Sequence, residues 1–365
     1  MTAKESERLL LVETARGFAA RELAGRREGA LARAYDLGFL SMLLPEELGG
    51  LGHEVTPLCL VLQSLAEADA SLAGIVFTQA LAQEILRAAG GEEALHRVFE
   101  GRATVREALI ACPAYVNPGE IELRAEARPE GGAYRLYGQQ DYLVLGGLAT
   151  RVLIPAAVYD RPGYSFFLAE IGGPEALASP PILSLGLHGC PAADLRLEGL
   201  PASLVGREGE GPIYFDAAAG RLGAAVAAIA AGIMAGSLKE ALEYAQERTQ
   251  GGTEIIHWPE VRMILAQMAV DAKIAEMAST LASQAADQGQ DGWRLCSRAA
   301  AIHATDLAPR LTADGIQVLG GVGYLEDFGQ EGRYRDAQQV QALLGLAPMK
   351  KLDYLARAIA LRSGA

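Results

Sequence analysis

The sequence predicts an α+β protein in three consecutive parts: a helical N-terminal part, a β-rich middle part and a helical C-terminal part. The first part has apolar residues at helical spacing. The second consists of short alternating or β-rich runs separated by glycine and proline. The third consists of long alanine-rich segments of the kind that pack into bundles. The predicted domains divide the 365 residues into 1–101, 102–207 and 208–365.

Helical segments account for most of the N-terminal part. An apolar stripe at helical spacing predicts the first helix: Leu9, Val12, Ala15, Ala19 and Leu23. Pro45 and the glycines that follow it predict a loop. The remaining helical segments are predicted at about 30–37, 57–70, 71–89 and 92–100.

The middle part has the composition of an all-β domain. Runs such as YRLYG, YLVLGG, RVLIPAAVY and YSFFLAEI are separated by turn residues, which is typical of short strands. Pro155, Pro180 and Pro181 are expected at sheet edges or strand starts, because proline cannot donate to a ladder.

Four helices are predicted in the C-terminal part. The first begins at Gly211 and is expected to end at Gly251 and Gly252, since glycine favours helix ends. The next opens at Pro259, a good first helical position. The last two are predicted at about 292–318 and 348–361. The uncharged run from Leu222 to Leu238 is short and rich in Ala and Gly, so a buried helix is favoured over a membrane span.

Composition excludes several classes of protein. The formal net charge is −13 and the pI about 5.0, which disfavours binding to nucleic acid or anionic membranes. The four cysteines are scattered and the N-terminus has no targeting pattern, so a cytoplasmic location is predicted. The five histidines are isolated, and no metal site is predicted.

The best functional lead is the stretch from Thr312 to Gly345. It has the pattern of a helix end, a glycine turn, an acidic loop and a short helix that opens at Arg335 and Asp336. Such a turn lets the backbone approach a ligand or another chain closely. The turn glycines are Gly320, Gly321 and Gly323.

Four segments of the chain together resemble the acyl-CoA dehydrogenase family. Residues 318–324, VLGGVGY, are followed by Arg335-Asp336-Ala337 as in that family. Residues 43–52, LLPEELGGLG, 185–195, LGLHGCPAADL, and 244–248, YAQER, resemble three further family segments in the same order. The resemblance covers essentially the whole chain.

The resemblance implies a fold, a cofactor and partners. The implied fold is an N-terminal helical domain, a middle β-barrel-like domain and a C-terminal four-helix bundle, assembled as dimers or tetramers. The implied cofactor is FAD, which a partner subunit can share or supply. The implied reaction is α,β-dehydrogenation of an acyl-CoA, with an electron-transfer flavoprotein as the expected acceptor. The implied partner is a homologous subunit or a second copy of the chain.

The catalytic glutamate of the resembled family is missing. Its position in this sequence is Leu344, which cannot accept a proton, so no catalytic residue is predicted. Some family members place the base early in the first C-terminal helix, and that position is Leu222 here. Asp216 is out of register and is kept only as a remote alternative.

The resemblance also assigns binding positions. Tyr142, Leu143 and Val144 correspond to the strand along the flavin ring, with Val144 in place of a threonine. Arg248 is assigned to a pyrophosphate, and the alternative is a solvated cation at a helix end. For Gly320, Gly321 and Gly323 the alternative to a cofactor contact is turn packing, and for Tyr142 it is a core aromatic. Two positions are assigned to substrate, Arg221 and Gly345.

These observations favour one function and leave others open. The favoured hypothesis is a subunit of a hetero-oligomeric, FAD-dependent acyl-CoA dehydrogenase, in which the isolated chain is weak or inactive. The alternatives are a stand-alone dehydrogenase with an unrecognised base and a non-catalytic protein that binds CoA thioesters. A two-component flavin monooxygenase is a further alternative that fits the glycine and Arg-Asp-Ala segments less well.

Overall fold

A computed structural model describes residues 3–23, 29–101 and 104–363. The described residues of the N-terminal part contain five α-helices. These are α1 (Ala3–Phe18), α2 (Ala30–Asp36), α3 (Val55–Ala68), α4 (Ala70–Phe99) and α5 (Val105–Ala108). A π-helical turn, Ala19–Leu23, follows α1. The two helices predicted at 71–89 and 92–100 are confirmed as the two halves of α4, which non-helical backbone at Gly90 and Gly91 separates.

The middle part folds into a seven-stranded sheet that closes on itself. In spatial order, β4, β2, β3, β7 and β5 form a ring, because β5 also pairs with β4. The predicted barrel-like domain is therefore confirmed. The strands are β1 (Ile110–Ala111), β2 (Ala125–Glu130), β3 (Ala133–Val144), β4 (Arg151–Val158), β5 (Ser165–Glu170), β6 (Ala176–Ala178) and β7 (Ala192–Val205).

Pro155 lies in the middle of β4, and its predicted place at an edge or strand start is wrong. One side of β4 pairs with β1 through Arg151 and Val152, and with β2 through Ala157 and Val158. Pro155 lies between these two partners, where a missing N–H interrupts neither ladder.

The C-terminal part is a helical bundle around α6. The prediction that Gly251 and Gly252 end α6 is wrong. The helix ends at Glu247, and the two glycines form the turn of a small hairpin, with φ angles of 63° and 88°. The short helix predicted to open at Arg335 begins five residues earlier, at Gln330. The elements are α6 (Gly211–Glu247), β8 (Thr249–Gln250), β9 (Thr253–Glu254), α7 (Pro259–Asp287), α8 (Trp293–Leu319), α9 (Gln330–Val340) and α10 (Ala347–Ser363).

Helix α6 forms the axis of the bundle and approaches its neighbours closely. A Cβ atom on Gly223 would lie 2.6 Å from the carbonyl oxygen of Ser297 in α8. On Gly232 and Gly236 it would lie 2.4 and 2.3 Å from carbonyl oxygens of the α3 segment. By length and composition α6 is apolar enough to cross a membrane, but 89% of its most apolar window is buried in the fold. It is therefore packed as a core helix.

Polar side chains tie the three parts together. The carboxylate of Asp287, at the end of α7, accepts both Val55 N–H and Thr56 N–H at 2.9 Å. It thereby caps the start of α3 from another helix. The buried amide of Gln79 in α4 bonds the N–H and C=O of Ile110 at 2.9 and 3.0 Å. The boundaries predicted at 101/102 and 207/208 stay a prediction, and residues 102 and 103 lie outside the described residues.

Candidate functional site

The glycine turn between α8 and α9 has an exposed half and a buried half. Gly320, with φ of 64°, and Gly321 are exposed, and a Cβ added at either would meet nothing within 4 Å. Gly323 is buried, and its Cβ would lie 2.8 Å from the Ile316 carbonyl oxygen. Gly320 and Gly321 are therefore open to a ligand, whereas Gly323 serves helix packing.

Arg248 lies at the same end of the bundle as this turn. It follows α6 directly, and the ring of Tyr244, one turn earlier, packs edge-on against Phe328 with centroids 6.4 Å apart. The Arg248 side chain is exposed, and no acidic side chain among the described residues forms an ion pair with it. An exposed guanidinium at the same end of the bundle as open glycine backbone can contact phosphate oxygens.

The strand assigned to the flavin ring is buried and already hydrogen-bonded. Leu143 and Val144 are both 0% exposed. Tyr142 N–H donates to the Asp194 carboxylate at 2.9 Å. Val144 exchanges two backbone bonds of 3.2 Å with Cys112. The N–H groups of Tyr142 and Val144 therefore both have partners within the chain.

Tyr115 covers the remaining aromatic face of this strand. Its ring packs edge-on against Tyr142 with centroids 5.7 Å apart, and only 5% of it is exposed. Burial raises the pKa of Tyr115 well above its usual value. The hydroxyl of Tyr142 donates to Ser184 at 2.7 Å and accepts from Gln339 at 3.2 Å. Tyr142 is therefore a packed, fully bonded aromatic.

Leu344 sits in a tight turn after α9 and is 7% exposed. Its φ angle is 65°, in the left-handed region that disfavours a branched residue. Its N–H donates to the Ala114 carbonyl at 2.9 Å. This bond joins the turn of Leu344 directly to the loop that carries Tyr115.

Two charged side chains hold the turn around Leu344. The Glu120 carboxylate accepts Leu346 N–H at 2.9 Å and would lie 2.9 Å from a Cβ on Gly345. Lys350 Nζ donates to the carbonyls of Gln341 and Leu343 at 2.8 and 3.0 Å. Burial lowers the pKa of Lys350 to about 8. We name residues 112–120 together with 341–346 the closed corner.

Arg221 and Gly345 contact different groups. Arg221 Nε lies 3.2 Å from the buried carboxylate of Glu84, and Arg87 Nε lies 3.2 Å from the other oxygen of that carboxylate. This charged cluster joins α4 to α6, whereas Gly345 lies against Glu120. Their assignment to one substrate site stays a prediction.

Asp216 is part of an ion-pair network that docks α10. Its carboxylate accepts from Arg298 and Arg357, both at 2.6 Å. Both guanidinium groups also reach Asp353, at 3.1 and 2.8 Å. Both oxygens of the Asp216 carboxylate are therefore engaged by arginines, and the side chain is not free to approach a substrate. Leu222, the other position weighed for a base, is 0% exposed.

Arg335 and Asp336 link α9 to the loop 185–190. Asp336 accepts Leu187 N–H at 2.6 Å, and Arg335 Nε donates to Glu331 at 2.6 Å. Burial raises the pKa of Asp336 to about 6. These side chains, with His188, border a polar cavity of about 620 Å³ between α9 and the start of α4. The Arg-Asp-Ala segment therefore joins α9 to the loop 185–190.

Sequence reasoning missed Tyr115, Glu120 and Lys350. Tyr115 lies in the run CPAYVN, which stands where the family has a loop of different sequence. The large side chain of Tyr115 was the one hint that this loop is filled. Glu120 follows the turn signal Asn117-Pro118-Gly119. No sequence pattern marked Lys350 as part of the site, because its hydrogen-bond partners are backbone carbonyls at the end of a different helix.

Comparison with known families gives matches at both ends of the chain. The family model of the acyl-CoA dehydrogenase N-terminal domain matches residues 5–105. The model of the acyl-CoA dehydrogenase C-terminal domain matches residues 216–359. Together the two matches span more than half of the chain.

Similar proteins match over nearly the full length. A cyclohex-1-ene-1-carbonyl-CoA dehydrogenase of Syntrophus aciditrophicus is 30% identical, over 94% of this chain and 88% of its own. The solved butyryl-CoA dehydrogenase of Megasphaera elsdenii is 22% identical, covers 98% and 99% of the two chains and has a TM-score of 0.87. A solved FAD complex of PigA is 21% identical, covers 99% of both chains and has a TM-score of 0.85.

Proposed function

The chain belongs to the acyl-CoA dehydrogenase family, and from that premise we propose that it is a subunit of a hetero-oligomeric, FAD-dependent acyl-CoA dehydrogenase. Its own corner performs no dehydrogenation. A homologous partner carries the glutamate, while this chain supplies scaffold and one wall of the partner's cofactor site. The observation that carries the proposal is Leu344, held in a closed corner where the family has its base.

A missing base has a large kinetic cost. General-base catalysis typically contributes about a hundred- to ten-thousand-fold in rate, which is roughly 3 to 5 kcal/mol of barrier. Asp216 is held by two arginines, and Leu222 offers no proton acceptor. Neither replaces the glutamate.

FAD is the cofactor of the family, but the part of this chain's site formed by residues 142–144, Tyr115 and Leu344 does not fit it. The 142–144 strand has its N–H groups bonded within the chain, and Tyr115 packs against the ring of Tyr142. Leu344 N–H is bonded to Ala114. A flavin ring along this strand would have to displace these contacts, so we route no chemical step through it.

Arg248, Gly320 and Gly321 do fit a cofactor that is held mainly by a neighbouring subunit. Arg248 is exposed, and Gly320 and Gly321 leave open space above their backbone. A guanidinium and unobstructed glycine backbone suit a pyrophosphate. When bound in the partner, FAD would accept the hydride from the acyl chain. This chain's contribution would be to bind and orient the cofactor.

The substrate class is proposed from the curated relative. The Syntrophus aciditrophicus relative is named for a cyclic acyl-CoA, and we propose an acyl-CoA thioester of that general kind for the assembly. An electron-transfer flavoprotein is the proposed acceptor and the cytoplasm the proposed location.

The test compares this chain alone with the chain co-expressed with a homologue that retains the glutamate. The measurements are the visible flavin absorbance per chain and its bleaching by cyclic and linear acyl-CoAs. The chain alone is expected to hold little flavin and to show no bleaching, whereas the co-purified assembly is expected to be yellow and to bleach. A yellow assembly of this chain alone that bleaches rapidly would overturn the proposal.

Substitutions at Arg248 test whether its contact with FAD is specific or whether the loss of any exposed arginine lowers FAD retention. Arg248→Gln is expected to lower the FAD retained by the co-purified assembly severalfold, and Arg248→Lys to restore part of it. Arg196→Gln is the matched control, because Arg196 is an exposed β-domain arginine in a surface ion pair. Equal FAD loss in both glutamine variants would contradict a specific role for Arg248.

A second candidate, a stand-alone dehydrogenase, is favoured by one observation. The Glu120 carboxylate lies directly against Gly345, beside the family's base position, and after a movement of Tyr115 it would be the nearest proton acceptor. In that case Glu120→Gln would abolish flavin bleaching by this chain alone. Under the first proposal the same variant leaves the turnover of the co-purified assembly within about twofold of the unchanged assembly, well below the effect of losing a general base.

A further inference from the structure

Helix α10 is attached to the rest of the chain by charge and not by apolar packing. Among its described residues from Ala347 to Arg362 none is buried, whereas α6, α7, α8 and α9 each have buried residues. No apolar side chain in this range belongs to the hydrophobic core or packs against it. Most helices in proteins are stabilised by packing of an apolar face, so α10 needs another means of attachment.

Three ion pairs join α10 to α6 and α8. Each pair has one member on α10 and one on a neighbouring helix, with N···O distances between 2.5 and 3.1 Å. The pairs are Lys351 with Asp306, Asp353 with Arg298, and Arg357 with Asp216. The side chains on α10 are 38 to 51% exposed. Exposed ion pairs contribute little stability each and are screened by salt, so the attachment of α10 is weak and depends on ionic strength.

Lys350 connects α10 to the closed corner. Its Nζ donates to the carbonyl oxygens of Gln341 and Leu343 at 2.8 and 3.0 Å. A lysine in this place satisfies carbonyl groups that the C-terminus of α9 leaves unpaired. The same turn carries Leu344, whose N–H is bonded to the Ala114 carbonyl. A shift of α10 would therefore uncap the end of α9 and loosen the turn that closes the corner.

The closed arrangement has two costs that opening relieves. The Lys350 ammonium loses water in its docked position, and this burial lowers the pKa of Lys350 from 10.5 to about 8. The charges of Glu120 and Asp306 offset part of that effect, because they favour the ammonium form. The backbone of Leu344 adds the second cost, since its φ angle of 65° is unfavourable for a residue with a side chain of this size.

We propose that α10 is a salt-sensitive strap that keeps the closed corner shut. When α10 separates from α6 and α8, Lys350 is withdrawn from the end of α9. The turn 341–346 can then separate from the loop of Tyr115. The strap is a two-state element, docked with the corner closed and undocked with the corner open. The inference does not depend on the proposed function, because it concerns whether the corner opens and not what enters it.

Hydrogen exchange of the full chain in its purified assembly, measured by mass spectrometry at constant pH, tests the strap. Raising NaCl from 0.1 M to 1 M shortens the Debye length from about 10 Å to about 3 Å. Exchange in residues 349–362 and in the turn 341–346 is expected to rise together by about fivefold, whereas α3 stays unchanged. Faster exchange in α10 with an unchanged turn overturns the proposal, and so does exchange in α10 that does not respond to salt.

Asp353→Asn tests whether the ion pairs hold α10. It removes the charge that pairs with both Arg298 and Arg357. Exchange in α10 and in the turn 341–346 is expected to be severalfold faster at 0.1 M NaCl, and its further rise with salt is expected to shrink. Glu93→Gln is the matched control, because Glu93 forms an exposed ion pair within α4. Exchange rates and a salt response like those of the unchanged chain in Asp353→Asn contradict the proposal.

Lys350→Met tests the link between the strap and the corner. Methionine keeps an apolar stem of similar length but loses the donor and the charge. Exchange in the turn 341–346 is expected to rise about tenfold, while residues 353–362 stay within about twofold of the unchanged chain. Lys273→Met is the matched control, because Lys273 forms an exposed ion pair within α7. An unchanged turn in Lys350→Met overturns the proposal, since the strap would then have no hold on the corner. Flavin content is measured separately, so failure of the proposed function remains distinguishable.

Discussion

The two ends of the stretch from Thr312 to Gly345 differ in what they offer a ligand. At its start, Gly320 and Gly321 are exposed with free space above them. At its end, Leu344 is 7% exposed and bonded to the loop of Tyr115. One end can serve a neighbouring chain, whereas the other is filled by the chain's own side chains.

The two ends therefore present different surfaces to a neighbouring molecule. The open end keeps the groups that reach outward, namely Arg248 and the exposed glycines. The closed corner instead holds Leu344 in a tight turn bonded to the loop of Tyr115, and both side chains are buried. Under the proposed function, a subunit that supports a partner's chemistry needs the outward-reaching groups and can lose a reacting group in the closed corner.

The largest expected effect contrasts two tyrosines. Tyr115→Ala is expected to lower the free energy of unfolding by about 4 kcal/mol, because it empties a packed aromatic site. Tyr324→Ala at the open end should change it by less than about 0.5 kcal/mol, since Tyr324 is 74% exposed. Chemical denaturation of the two variants measures both values. Similar losses would show that the two regions are not packed differently.

The next effect contrasts two glycines on either side of the end of α8. A Cβ on Gly315 would lie 1.7 Å from Gln330 Nε2 and 2.6 Å from Ser237 Oγ. Gly315→Ala is therefore expected to cost about 3 kcal/mol through overpacking. Gly321→Ala meets open space and should leave the unfolding midpoint unchanged. A tolerated Gly315→Ala would mean that α9 is not held closely against α8.

A pH-dependent effect is expected from Asp336. Burial raises its pKa from 3.8 to about 6, so between about pH 4 and pH 6 the folded chain binds more protons than the unfolded chain. Stability therefore falls as pH rises through that window. Asp336→Asn removes the ionisation, keeps an acceptor for Leu187 N–H, and should gain about 2 kcal/mol at pH 7.

The measurement for Asp336 is the denaturation midpoint from pH 4 to pH 8. The variant should have a flatter profile than the unchanged chain in the acid range. Asp327→Asn, in the exposed loop before α9, is the control and should leave the profile as it is. A steeper profile in Asp336→Asn would refute the assignment.

The smallest expected effect concerns the turn around Leu344. Glu120→Gln weakens the charge-assisted bond to Leu346 N–H by about 1 kcal/mol. Local opening of the turn should then rise about fivefold, which hydrogen exchange at Leu346 measures. The amide of Gly119, bonded to Asn117 at 3.0 Å, is the internal reference. Equal acceleration at both amides would indicate loosening of the whole loop.

Most of the fold could be predicted because it depends on local patterns. Pro259 predicted the start of α7, and the change from helical to alternating spacing predicted the β-rich part. The exceptions are also local. Glycine is favoured both in a helix cap and in a hairpin turn, so the residue type of Gly251 and Gly252 could not distinguish the two.

The site was less predictable because its contacts join distant parts of the chain. The assignment of Leu344 to the family's base position rests on a resemblance in sequence and stays a prediction. The closed corner depends on Glu120 and Leu346, which are 226 positions apart, and on Lys350 bonding to bare carbonyls. No periodicity or spacing marks such pairs before the chain has folded.

The glycines of α6 set limits on how this protein can evolve. Gly223, Gly232 and Gly236 lie so close to neighbouring backbone that even one methyl group would separate the helices. None of the three lies in the closed corner. Substitutions along the bundle axis would therefore force its helices apart, a constraint that does not fall on the closed corner.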